Sequence, residues 1–207
     1  MPILLSDMSD LAAEAEAFET PEWAVRAILR VELLTPHVID PGCGRGVLAE
    51  AAKAAGYYAY AFDLHDWGYG EAGRDFLDLK ISWVHQVMMG WDSRCRPDVD
   101  LFEASALMNP PFSKACRWVE HARHRLGLRK VVCFQRLAWW EGQRREAFWR
   151  RNPPQRVYVC AKRASCWRID VPLERRQGSG TPTAHAWFVW ERGQPGGPVL
   201  GRLLDDG

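Results

Sequence analysis

Apolar and polar positions change period several times along the chain, and the changes predict alternating helices and strands. Thr20-Pro21-Glu22 reads as a helix start: a capping hydroxyl, a proline suited to the first helical position, then an acid near the positive helix end. Apolar residues at 24, 25, 28, 29 and 31 continue that helix with the spacing of one buried face. His37 to Asp40, after Pro36, reads as a short strand. Residues 45–55 read as a helix stopped by Gly56, and 58–64 as a second strand closing at Asp63. Asp75-Phe76-Leu77 is taken as a third strand, with 79–98 as an insertion of no evident place. Residues 106–108 form a fourth strand running into Asn109. Ser113 caps a helix that reaches about Leu126 and stops at Gly127; 130–134 is a fifth strand. Residues 141–151 are helical until Asn152-Pro153-Pro154 turns the chain. Residues 156–162 and 184–190 are strands that pair as a hairpin across the polar loop 163–183. The tail from Gly193, rich in glycine and proline, reads as a loosely packed end.

Strands alternating with helices predict an α/β fold, a Rossmann-like, mostly parallel sheet with helices on both faces. The closing hairpin adds an antiparallel member. No repeat or linker interrupts the 207 residues, so a single domain is expected.

Composition narrows the class. Apolar residues make up 47% of the chain and charged residues 26%, which excludes a disordered protein. No apolar run reaches the ~20 residues needed to cross a bilayer, and the acidic N-terminus does not read as a signal peptide. A cytoplasmic protein without membrane contact is expected. The six cysteines are scattered without Cys-x-x-Cys spacing, so no metal is expected. Charge is divided unevenly. Residues 1–103 carry 8 Lys/Arg against 18 Asp/Glu, a net −10, and residues 104–207 carry 19 against 8, a net +11. A basic half suits a polyanionic partner; it equally suits two halves that attract each other.

The chemistry is concentrated in two stretches. VIDPGCGRG (38–46) follows a strand and opens a helix, with Gly42, Gly44 and Gly46 alternating. Such a turn can bind phosphate, but the spacing is not G-x-G-x-x-G, and Asp40 at the entrance would repel a pyrophosphate. An acid there suits a cation such as an amino-acid amine. Asp63, 19 residues after Gly44, stands where a carboxylate accepts ribose hydroxyls. A ribose partner beside an amine partner describes S-adenosylmethionine better than NAD.

With these residues the chain resembles the class I S-adenosylmethionine-dependent methyltransferases, and more narrowly the DNA amino-methyltransferases with an Asn-Pro-Pro-Phe motif. Asn109-Pro110-Pro111-Phe112 is that motif here, and Thr20-Pro21, the loop 40–46, Asp63 and Asp75-Phe76-Leu77 carry the rest of the likeness. The half from RLAWWEG through AHAWFVWERG is similar to small methyltransferases of phages and prophages. The resemblance implies a seven-stranded sheet whose last pair is antiparallel. It implies that Asp63, with its neighbour Leu64, holds the cofactor ribose. Asp75 would take the adenine amine, with Phe76 against the ring. Asp40, Pro41, Gly42, Cys43, Gly44 and Gly46 would face the methionine moiety, with Thr20 close by. It implies, too, methylation of adenine N6 in DNA rather than cytosine N4. Relatives that serve restriction carry a separate recognition domain, for which 207 residues leave no room; sequence discrimination is expected to be slight, or supplied by a partner or second subunit.

The motif itself has a chemical reading. The lone pair of an exocyclic amine is delocalised into the ring, and acceptors for both N–H groups free it for the sulfonium methyl. The side-chain oxygen of Asn109 and the carbonyl of Pro110 are the expected acceptors, with Pro111 stiffening the turn. Phe112 is the expected stacking surface for an extruded base. The enzyme alternatives are an RNA adenine or a protein glutamine in the same pocket. The alternative of another class is a silent nucleic-acid-binding subunit, disfavoured because both motifs are intact. From residue 117 onward arginines interleave with aromatic residues. Arg144, Arg145, Arg150, Arg151, Arg168 and Arg175 are the expected nucleic-acid contacts, while Trp187, Trp190 and much of the aromatic content of 141–151 are expected in the core. Residues 65–74, with Gly68, Gly70 and Gly73, form either a lid or a plain surface loop.

Overall fold

The computed structural model describes residues 5–84, 86, 103–177, 183–195 and 197–205. The chain enters through helix α1 (Leu5–Glu14) and a two-residue strand β1 (Phe18–Glu19). Then follow α2 (Glu22–Val31), β2 (His37–Pro41), α3 (Val47–Ala54) and β3 (Tyr58–Phe62). Strand β4 (Ala104–Met108) leads to α4 (Ala115–Glu120), which continues as a wider turn over His121–Arg125, and to β5 (Lys130–Arg136). Helix α5 (Glu146–Arg151), β6 (Arg156–Cys160), the short β7 (Trp167–Arg168), β8 (His185–Glu191) and β9 (Val199–Leu203) complete the order.

Seven strands form one mixed sheet in the order β3-β2-β4-β5-β8-β6-β9, and β1 pairs with β7 in a separate antiparallel ribbon. Strands β3, β2, β4 and β5 run parallel; β8 is antiparallel to both β5 and β6. The expected α/β class and the hairpin of β6 with β8 are present. Each face carries its own apolar layer. Met108, Val131, Cys133, Phe188 and Trp190 point to one, and Leu107, Val132, Phe134, Trp187 and Val189 to the other. Burial on both faces is why β5 and β8 read as nearly unbroken apolar runs. Phe148 and Trp149 join the first layer, as expected, and Trp139 joins them.

The seven strands are not the seven expected. Residues 76–78 form a tight helical turn capped by Asp75, whose carboxylate accepts from the Leu77 amide at 2.8 Å. The outer edge of β3 carries only a one-residue bridge from Phe62 to Glu71 among the described residues. The missing member is replaced at the opposite edge by the tail, which was expected to be loose. There β9 pairs with β6 in parallel from Arg156–Val199 to Cys160–Leu203. Most of the insertion 79–98 lies outside the described residues, as do residues 178–182 of the loop 163–183. The first helix and the β1–β7 ribbon had no reading in the sequence.

Three helix starts also differ. Pro21 precedes α2 with no side-chain cap, so the Thr20 hydroxyl is not spent there. Ser113 does not cap α4; its amide donates to Glu16 instead. Residues 143–145 make a separate tight turn before α5. At the amino ends of the strands, Glu32, only 4% exposed, accepts from Lys130, Arg156 and Tyr158. These pairs tie the acidic half to the basic half, so part of the charge division is satisfied inside the molecule.

Candidate active site

From β2 the chain steps to β3 on one side, then crosses to β4 on the other. Where connections diverge like this, the loops at the carboxyl ends of the two inner strands separate and leave a crevice. The glycine loop after β2 and Asn109 after β4 both open into it. The cleft has a volume of about 90 Å³ and opens to solvent.

Of the residues singled out in the sequence, Thr20, Gly42, Cys43, Gly44, Asp63, Leu64, Asp75, Phe76, Asn109 and Pro111 line this cleft. Asp63 is placed by its own loop: Oδ2 accepts from the Gly44 amide at 3.0 Å and Oδ1 from the His65 amide at 2.9 Å. Each carboxylate oxygen keeps a second lone pair for a ligand donor. Asp75 spends Oδ1 on its helical turn and retains Oδ2. Thr20 is 3% exposed, and its Oγ1 has no hydrogen-bond partner among the described residues. A buried hydroxyl without a partner costs about 1–3 kcal/mol, which a ligand group in the cleft would offset. Asn109 donates through Nδ2 to the Phe18 carbonyl at 2.9 Å. That bond fixes the amide's orientation and leaves Oδ1 as a free acceptor.

Other expected roles are reassigned. Asp40 is 1% exposed and does not line the cleft; its Oδ2 accepts from the Ala49 amide in the first turn of α3 at 3.1 Å. Burial, together with the nearby Asp63 charge, pushes its carboxyl well above the usual range; it braces α3 from inside the fold and does not meet a ligand in the cleft. Burial likewise raises the Cys43 thiol. Pro41 is the buried end of β2. The glycines make room for protein more than for ligand. A side-chain carbon on Gly42 would stand 2.8 Å from the Trp118 ring, and one on Gly46 would fall on the Tyr69 ring; both glycines have positive φ. The Gly42 and Cys43 amides donate to the Phe62 carbonyl, Gly44 to Asp63 and Gly46 to Cys43. With those donors spent, the loop is a poor cradle for a pyrophosphate.

The motif after β4 differs in two parts. The Pro110 carbonyl accepts from buried Gln135 at 2.9 Å and does not line the cleft. The Phe112 ring is covered by the Arg136 guanidinium. Residues 65–74 are no free lid: Tyr69 bonds Glu50 and Lys53, and Gly70 packs against Ala61 and Cys43.

Among the proposed nucleic-acid contacts, Arg168 forks onto Asp170 at 2.8 and 2.6 Å and reaches Ser9. Arg145 binds the carbonyls of Trp139 and Glu141, Arg150 pairs with Glu146, and Arg151 with Glu120. Helix α5 runs back from the carboxyl to the amino ends of the strands, which carries Arg150 and Arg151 away from the cleft. Arg144 and Arg175 are exposed and make no ion pair among the described residues.

Several cleft residues had no reading in the sequence: Glu16 and Phe18 from the N-terminal segment, Arg74, Trp118 and Ile169. The Phe18–Glu19 ribbon with β7, and the bonds from Asn109 and Ser113, hold that segment at the cleft, and no local pattern marks it. Among the described residues no group of three or more His, Cys, Asp or Glu is placed to hold a metal, and no helix is long and apolar enough to cross a membrane.

No protein-family model matches the chain, and no curated protein matches it. Two solved structures are similar in outline. The Thermoplasma acidophilum protein 1320 is 16% identical, with 90% of this chain and 98% of that chain covered and a TM-score of 0.48. The second is "a putative RNA methyltransferase PH1948 from Pyrococcus horikoshii", at 12% identity, with 90% and 97% covered and a TM-score of 0.49. At that level of overlap neither likeness bears on activity.

Proposed function

We propose that the protein transfers a methyl group from S-adenosylmethionine to the exocyclic amine of a nucleobase, with adenine N6 in DNA as the target. When bound, the cofactor supplies an electrophilic methyl group on a positively charged sulfur. Asp63 accepts from its ribose hydroxyls through the lone pairs left by Gly44 and His65. Asp75 accepts from its adenine amine through Oδ2. The unpartnered Thr20 hydroxyl supports this reading, since it needs a polar ligand group beside it. The spent loop amides argue against NAD.

One observation carries the reading: Asn109 opens into the same cleft as Asp63 and Gly44, with its Oδ1 turned away from Phe18. An acceptor there takes a hydrogen bond from the target amine and turns the nitrogen lone pair toward the methyl donor. Because Pro110 does not line the cleft, Asn109 does most of this orienting. A base must leave its stack to reach such a cleft. The basic second half favours nucleic acid over a protein glutamine.

Incubation with tritiated S-adenosylmethionine and, separately, duplex DNA, single-stranded DNA, RNA and protein tests the proposal. Nucleoside digestion of the labelled product should return N6-methyldeoxyadenosine. Label in protein alone, or tight NADH binding with no label, would refute it.

A further inference from the structure

The nucleobase reading leaves one feature unexplained, and the inference drawn from it rests on that reading. Phe112 is not an open stacking surface. The Arg136 guanidinium lies 3.9 Å from its ring centroid, and Phe18 leans on the same ring at 5.6 Å, tilted 40°. The pairing of β4 with β5 brings this about. Met108, the last residue of β4, stands opposite Cys133, so the Asn-Pro-Pro-Phe turn and the end of β5 at Arg136 leave the sheet on the same side. A base can take the covered face only by taking the guanidinium's place.

The Arg136 side chain makes no hydrogen bond or ion pair with any described residue, and its buried Nε has no partner there. A guanidinium has five donors and is never deprotonated. Arg163 is exposed and also unpaired among the described residues. The charges of Arg136 and Arg163 both bear on the buried His185, whose pKa is pushed down to about 4, by burial first. The imidazole is therefore neutral near pH 7. Stacked on Phe134 at 5.0 Å, it adds neither charge nor a carboxylate to balance the two arginines. Unmatched forked donors without an acid partner suit a phosphate.

We propose that Arg136 is a phosphate-operated gate on the base pocket: it covers Phe112 in the free protein, and the phosphodiester beside the target nucleotide draws it off so that the base can stack. Arg136 is then a positioning residue. It makes the flanking phosphates, and not the base alone, the condition for entry, so the substrate is a polynucleotide rather than a free nucleobase.

The test uses a single-stranded oligonucleotide with one adenine, and a matched one whose two phosphates flanking that adenine are uncharged methylphosphonates. Binding is read by fluorescence anisotropy, and methyl transfer in parallel. For the unaltered protein the methylphosphonates should weaken binding at least about 10-fold, and for Arg136→Ala no more than about 2-fold. The slope of log K against log salt should fall by about 1 in Arg136→Ala. Arg136→Lys keeps the charge, so its methylphosphonate penalty should stay within about threefold of the unaltered protein's, while transfer falls because the fork is lost. Equal penalties in the unaltered protein and Arg136→Ala overturn the gate, and so does a missing penalty in Arg136→Lys. Competition by deoxyadenosine 5′-monophosphate as strong as by the oligonucleotide would move the site to free nucleotides and overturn the polynucleotide assignment. Because binding is read without chemistry, an Arg136-dependent penalty with no labelled base would refute methylation and leave the gate standing.

Discussion

Asn109 and Thr20 enter the cleft in different chemical states, and each yields its own test. Asn109 has spent its donor on Phe18 and keeps an acceptor. Asn109→Ala should lower transfer by about 100–1,000-fold, the effect of deleting one well-placed catalytic hydrogen-bonding group. Its cofactor affinity, measured by calorimetry, should change little. Near-normal transfer in that variant would rule out the role given to the amide. Thr20 holds a buried hydroxyl with no partner. Thr20→Val keeps the shape and removes the unsatisfied group, so the melting temperature should hold or rise while S-adenosylmethionine binds more weakly. A variant that melts earlier, with cofactor affinity intact, would make Thr20 a structural residue only. Both residues were legible in the sequence, Asn109 from the motif and Thr20 from its position before a helix. The reason Thr20 matters was not legible, because a hydroxyl ahead of Pro-Glu reads first as a cap.

The glycine loop acts as an element, with Asp40 as its strut to α3. A raised carboxyl pKa in the folded protein has a definite sign. The unfolded chain loses its Asp40 proton near pH 4 while the folded chain keeps it, so the group's contribution to stability falls as pH rises above that. Asp40→Asn keeps an acceptor for the Ala49 amide and removes the titration. Its stability relative to the unaltered protein should therefore improve between pH 4 and pH 7, as read by denaturant unfolding. A relative loss over that range would mean that Asp40 works ionised. Gly46→Ala meets both a positive φ and the Tyr69 ring. It should cost about 1–3 kcal/mol, and Tyr69→Ala should restore only the steric part. The alternation of glycines was visible in the sequence. Their occupants, Trp118 and Tyr69, come from other parts of the chain and were not.

Across the whole molecule, the sheet is held at its amino end by the Glu32, Lys130, Arg156 and Glu191 cluster and at its far edge by β9. Burial raises the Glu32 carboxyl, but hydrogen bonds from Arg156 and Lys130 outweigh it and hold the group below the usual range. Its stabilisation is present above the unfolded pKa, about 4.3, and is lost as pH falls through the lower folded value. Lys130 and Glu32 side chains are 8% and 4% exposed. Lys130→Met should cost about 3–5 kcal/mol, the range for removing one partner of a buried pair. A loss under about 1 kcal/mol by urea unfolding would show that Arg156 and Tyr158 satisfy Glu32 without Lys130. Removing residues 196–207 takes away β9 and leaves β6 as a bare edge. Such an edge invites pairing between chains, so the shortened protein should be less stable and prone to aggregate. Unchanged melting and solubility would return the tail to the loose end it resembled in sequence.

Local pattern determined the helices around the glycine loop, the inner strands, the two motifs and the pairing of β6 with β8. Each of these is written in neighbouring residues as periodicity, turn chemistry or spacing. Tertiary structure alone decided that Asp40 faces α3, that Gln135 takes the Pro110 carbonyl, and that Arg136 covers Phe112. It also decided that Phe18 orients Asn109 and that the tail, at the opposite edge, replaces the strand expected beside β3. Each of those is a contact between residues distant in sequence, and such contacts are set by strand order and register, which no local stretch encodes.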